Sequence, residues 1–121
     1  MLEMIDIGVE NAVAYRLEGK ITEEEMKSVL SIFKKKIEKG EKLIIYQEIG
    51  SFGWVEFEVI VEKIKFLFDF GISHFGRVAV VTQKKWLQKI VDLEDKIFKS
   101  VDMKAFSVEE RDKAIEFLKG A

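Results

Sequence analysis

Between Trp54 and Gly71 the chain carries the stretch that most restricts its fold. Read as a helix, this stretch is apolar along two edges. Advancing each residue by ~100° around the axis puts Trp54, Phe57, Ile60, Val61, Ile64, Leu67 and Phe68 on one wide stripe. Val55, Val59, Phe66 and Phe70 fall on a second stripe, roughly opposite. Glu58, Glu62, Lys65 and Asp69 separate the two on one side, Glu56 and Lys63 on the other. The first stripe is the face that a helix of a globular protein turns to its core. The second has two possible destinations. One is packing inside the chain, for instance against a helix from Gln83. The other is an accessible surface for a lipophilic ligand or a second subunit. Covering it yields several kcal/mol at ~25 cal/mol per Å², before ordering costs.

The rest of the chain reads as strands and helices around this segment. Leu2 to Ile7 is a strand with Met4 on one face and Ile5 and Ile7 on the other. Gly8-Val9-Glu10-Asn11 is a turn. In the second strand, Ala12 to Gly19, Val13, Tyr15 and Leu17 alternate with Ala14 and Arg16. The short link makes the two an antiparallel hairpin. Thr22-Glu23-Glu24-Glu25 is a capping box. Met26, Val29, Leu30, Phe33 and Ile37 then give one helical stripe, and Gly40 is the stop.

Lys42 to Ile49 is a third strand. Arg77 to Thr82, apolar on both faces, reads as a central parallel strand. Gln83 to Ser100 is helical, with Trp86, Ile90, Leu93 and Ile97 on one stripe. Asp102 to Phe106 is a short strand whose Lys104 suits a sheet edge. Ser107-Val108-Glu109-Glu110 is a second capping box, and the last helix buries Ala114, Ile115 and Leu118 before ending at Gly120.

The order ββαβαβαβα implies an α/β protein with a mixed five-stranded sheet, strands three and four inside, and right-handed crossovers. Crossovers between sequence neighbours put their helices on one face of the sheet. The opposite faces of Ile44, Tyr46, Ala79 and Val81 then need a cover that the sequence does not name.

A length of 121 residues is naturally read as one domain, 1–121. The net charge of −2 gives a nucleic-acid partner no global electrostatic support. No apolar run approaches the ~20 residues that span a bilayer. Met1-Leu2-Glu3-Met4-Ile5-Asp6 has neither the basic nor the apolar region of a signal peptide. A cytoplasmic protein is therefore expected. The absence of cysteine excludes disulfides and thiolate chemistry.

Catalytic signatures are absent from the sequence. His74, the single histidine, has no partner at catalytic or metal-ligand spacing. Glu23, Glu24 and Glu25 are explained by capping. Glu56 and Glu58, two apart on a helix, face different ways. No catalytic residue, metal or cofactor is expected. Gly50-Ser51-Phe52-Gly53 at a helix start is a turn and cap, or else a phosphosite or anion site at Ser51 and Gly53, since free N–H groups point there. It lacks the Lys-Ser/Thr end of a P-loop. Trp86 and nearby lysines suit a basic amphipathic helix with an ordinary core face better than a membrane-surface anchor.

The loop Glu48-Ile-Gly-Ser-Phe-Gly-Trp54, together with this order of elements, resembles the SpoIIAA-like family within the wider STAS/SEC14-type group. Gly19-Lys20-Ile21-Thr22 after the second strand matches as well. So do Arg77-Val-Ala-Val-Val-Thr-Gln-Lys-Lys-Trp86, Phe106 before the final capping box, and Ala114 with Leu118 after it. The resemblance covers essentially the whole chain and implies a fold shared with anti-sigma-factor antagonists. Those antagonists carry an Asp-Ser-Ser segment with a phosphorylated serine; here the segment is Ser51-Phe52-Gly53-Trp54. The fold has also been likened to SEC14-type domains that hold lipophilic ligands.

The expected function is a non-enzymatic binding or regulatory domain for an apolar small molecule or protein partner, with a homodimer possible. Trp54, Val55, Val59, Phe66, Phe70 and Trp86 are the candidate contacts. The alternative is a phospho-regulated partner switch centred on Ser51.

Overall fold

Strict side-chain alternation in the second and third strands sends alternate residues to opposite faces, and two cores form as a result. The structure, a computed structural model, describes residues 1–50, 75–83, 85, 87–89, 91–92 and 102–120. Five strands, β1 (Leu2–Met4), β2 (Ala12–Leu17), β3 (Leu43–Ile49), β4 (Phe75–Thr82) and β5 (Asp102–Ser107), form one sheet in the order β1-β2-β3-β4-β5. β1 pairs antiparallel with β2, and the other pairings are parallel. This is the mixed sheet expected, with β3 and β4 inside.

The first strand is shorter than its pattern suggests. The Asp6 carboxylate accepts from the Gly8 N–H at 2.9 Å, an Asx-type turn that bends the chain out of the ladder. Ile5 and Ile7 nevertheless pack against one of the two cores.

Helix α1 (Glu23–Glu38) begins at the expected box. The Thr22 hydroxyl accepts from the Glu25 N–H at 3.1 Å, and the Glu25 carboxylate accepts from the Thr22 N–H at 3.0 Å. The other Glu25 oxygen accepts from Leu2 N–H at 2.6 Å, which fastens the helix start to β1. These backbone donors, Leu2 first, hold the Glu25 carboxyl below the usual carboxylate range. Thr22→Ala is expected to cost about 1 kcal/mol, read as a lower urea midpoint at unchanged slope. At the other end Gly40 N–H bonds Ile37 C=O and Glu41 N–H bonds Lys36 C=O, both at 3.0 Å. This closure needs the left-handed backbone of Gly40, φ +75°.

Val13, Tyr15 and Leu17 of β2, Leu43, Ile45 and Ile49 of β3, and Val78 and Val80 of β4 form the first core, under Met26, Val29 and Phe33 of α1. The opposite face answers the question of the missing cover. Tyr46, Ala79, Val81 and Phe106 pack against Ala114 and Leu118 of the last helix, α2 (Arg111–Lys119), with Ile44 at the margin. No strand follows this helix in the described fold, so it is not bound to the crossover face and folds back over β3, β4 and β5. Burying Leu118 alone contributes about 1.5–3 kcal/mol.

The capping box at Ser107 forms as expected, but it opens a single 3-10 turn, Val108–Glu110, and the α-helix starts only at Arg111. Between Leu43 and Ile45 the β3–β4 register shifts, because β4 carries one extra residue there. Gly76 sits at that bulge, where a Cβ would lie 3.2 Å from the Leu43 carbonyl oxygen.

Of the helix expected over 83–100, residues 85, 87–89 and 91–92 are described and helical. Leu87 and Val91 are half-buried while Gln88, Lys89 and Asp92 are exposed, which agrees with the apolar stripe. The helix expected from Trp54 to Gly71, and His74, lie outside the described residues.

Candidate functional site

The parallel strands β2 to β5 all end at one edge of the sheet, where Leu17, Ile49, Thr82 and Ser107 lie in one row. In open α/β sheets ligands bind beyond such carboxyl ends, at a point where the strand order reverses. Here the described strands run in one order from β1 to β5, without the reversal that marks a dinucleotide-binding crevice. What this edge holds instead is a charged cluster one residue row below it.

Ile44, Tyr46 and Glu48 share the face that α2 covers. Glu48 stands opposite Arg16 on β2 and Val81 on β4. It is 4% exposed, a carboxylate in the middle of the sheet. Its Oε2 accepts from Arg16 Nε at 2.6 Å, and its Oε1 from Arg111 Nε at 2.8 Å and Tyr46 Oη at 2.9 Å. Arg111 Nη2 adds a longer contact to Oε2 at 3.4 Å.

Burial alone would push the Glu48 carboxyl up. Hydrogen bonds from Arg111, Arg16 and Tyr46, and the two positive charges, more than offset this and bring it to about 2. The same surroundings, burial first and then the bond to Glu48, push the Tyr46 phenol up. On the other face, burial raises the Tyr15 phenol, which donates to Gln47 Oε1 at 2.9 Å.

Arg111 occupies the first turn of α2, where the helix dipole disfavours a cation. Its placement there is explained by Glu48. The cluster ties β2, β3 and α2 together, and two residues beyond Glu48 the Gly50 N–H donates to Leu17 C=O at 2.7 Å.

A depression lies between β5 and α2. Phe106 and Phe117, ring centroids 5.9 Å apart, form its apolar floor, and Lys104, Asp112, Lys113 and Glu116 line the rest. Lys113 is paired with Glu110 at 3.4 Å and Lys104 lies over the Phe106 ring at 5.6 Å. The depression holds no nucleophile–base pair among the described residues. These residues also contain no group of acidic or histidine side chains arranged to hold a metal, and no helix long and apolar enough to cross a membrane.

The site residues expected from the sequence, Ser51, Gly53, Trp54, Val55, Val59, Phe66, Phe70 and Trp86, all lie outside the described residues. Arg16, Glu48 and Arg111 were not among them. One signal pointed to Glu48: it is the single charged residue in the largely apolar strand Leu43–Ile49, whose other strongly polar residue is Gln47. Arg16 follows from Glu48 by register, but the parallel pairing that aligns them is not written in either strand alone.

The described residues thus form an α/β sheet with a helix on each face and a buried carboxylate held by two arginines. The SpoIIAA-like family model matches residues 12–119, and the chain belongs to that family. Neither functionally described proteins nor solved structures give a match to the chain.

Proposed function

We propose that the chain is a non-enzymatic regulatory domain that engages an apolar small molecule or a protein partner through the 54–71 stretch and the 50–53 loop. The observation that carries this reading is the state of Glu48. Its lone pairs are occupied by two guanidiniums and a phenol, and its proton affinity is lowered to about 2. A general base works best with a pKa near the operating pH. The buried carboxylate therefore acts as a fastening, and a sheet edge held in this way suits recognition. Family membership agrees, since SpoIIAA-like domains generally act through protein partners. Val55, Val59, Phe66 and Phe70 would supply the apolar contact, with Trp54 and Trp86 as aromatic anchors of the kind that dominate binding energy.

Native mass spectrometry of protein purified from cells tests this, with Phe66→Asp/Phe70→Asp as comparison. A dimer or bound-ligand mass is expected for the native chain and should vanish in a double variant that still unfolds cooperatively. A variant that simply unfolds would assign both rings to the core and overturn the reading. The phospho-switch alternative is favoured by one observation: β3, which carries Glu48 and is fastened by Arg16 of β2 and Arg111 of α2, ends at Ile49, two residues before Ser51 in the sequence. The mass of one phosphoryl group, lost in Ser51→Ala, would be read in the same spectra.

A further inference from the structure

The outer side of Arg16 offers a binding feature that the cluster itself does not use. Arg16 and Arg111 share a single buried carboxylate, so the three groups together keep one net positive charge. Glu48 fixes Arg16 through Nε, which leaves the guanidinium pre-aligned on a strand of the sheet. Arg16 is still 36% exposed at its side chain. Among the described residues its other ionic neighbour is Glu3, with Oε2 at 3.7 Å from Nη1. That distance is an ion pair but too long for a hydrogen bond. The reason is register: Glu3 stands opposite Arg16 on β1, a three-residue edge strand, and is itself exposed.

We propose that Arg16, backed by the charge of Arg111, is a site for a tetrahedral oxyanion such as a phosphoryl group, with Glu3 as a loose internal occupant that the ligand displaces. A guanidinium fork matches two phosphoryl oxygens at once. Because Glu48 already holds the side chain, little rotamer freedom is lost on binding. A dianion also exceeds a single carboxylate in its attraction to two neighbouring cations. The site needs no apolar partner, so its test is separate from that of the regulatory reading.

The test is a titration of the 15N-labelled full chain with inorganic phosphate at constant ionic strength, following the arginine Nε–H resonances. The Arg16 Nε–H signal is expected to move saturably in the millimolar range. Glu3→Gln, a change at an exposed position that leaves the fold in place, should tighten binding about threefold to fivefold, the worth of one surface ion pair. Acetate at equal ionic strength should give no saturable shift. Two results overturn the proposal: no saturable movement of the Arg16 signal in either form, or movement by acetate as large as that by phosphate.

Discussion

Replacing Glu48 by glutamine is expected to lower stability by about 3 kcal/mol at neutral pH and to flatten the acid limb of the stability profile. The folded-state pKa of about 2 lies below the ordinary glutamate value of 4.5. A depressed pKa means that the folded state binds its proton less readily than the unfolded chain. The stabilisation is therefore complete above the ordinary value and is lost as pH falls through about 4.5 towards 2. At ~1.36 kcal/mol per unit, that difference amounts to about 3 kcal/mol. The cost stays at the lower end of the range for broken buried pairs, ~3–5 kcal/mol, because Arg16 and Arg111 are partly open to water and rehydrate. Urea unfolding from pH 7 to pH 2 measures it. The gap between the two proteins should close across the acid window. A gap of constant size over that range would mean that the two arginines do not hold the carboxylate ionised.

The cluster also explains a departure from local preference. A basic residue opening a helix works against the dipole, and Arg111 does so in a turn whose preceding residues, Glu109 and Glu110, are acidic as the dipole favours. The helix accepts the cation because Glu48 waits beneath it. That coupling makes the position of α2 on the sheet depend on one side chain of β3 as well as on the apolar contacts of Ala114 and Leu118.

Local signals were legible where one segment settles its own structure. Thr22 and Glu25 are three apart, so the capping box follows from spacing alone, and its hydrogen bonds form as expected. Arg77 to Thr82 is apolar on both faces, and a strand of that kind has to be central. What the sequence could not supply was information about pairs. The cover over Tyr46, Ala79 and Val81 comes from a helix about 30 residues beyond β4, and nothing in its own amphipathic pattern says which face of the sheet it chooses. The candidate cluster was hidden for the same reason. Arg16, Glu48 and Arg111 are far apart in the chain, and each alone reads as an ordinary charged residue on a strand or at a helix start. They become a unit only once β2 and β3 are aligned so that Arg16 faces Glu48.

On the opposite face, Phe33→Ala should cost about 3–5 kcal/mol, the range for removing a phenyl ring from a closed core. Phe33 is fully enclosed, with its ring 6.2 Å from that of Tyr15, between Val29 of its own helix and the inner strands. Deleting it removes the largest apolar contact of α1 and leaves a cavity that the rigid sheet cannot close. The sheet separates this site from Glu48, and among the described residues the two share no partner. Their effects should therefore add within about 0.5 kcal/mol, and the acid limb of Phe33→Ala should keep the native shape while starting from a lower plateau. Chemical unfolding of the two single variants and the double variant over the same pH range measures both features. A double variant much more stable than the sum implies would mean that the two faces communicate through the strands. In that case the Glu48 cluster would be part of the packing of α1, not an independent fastening of α2 to β2 and β3.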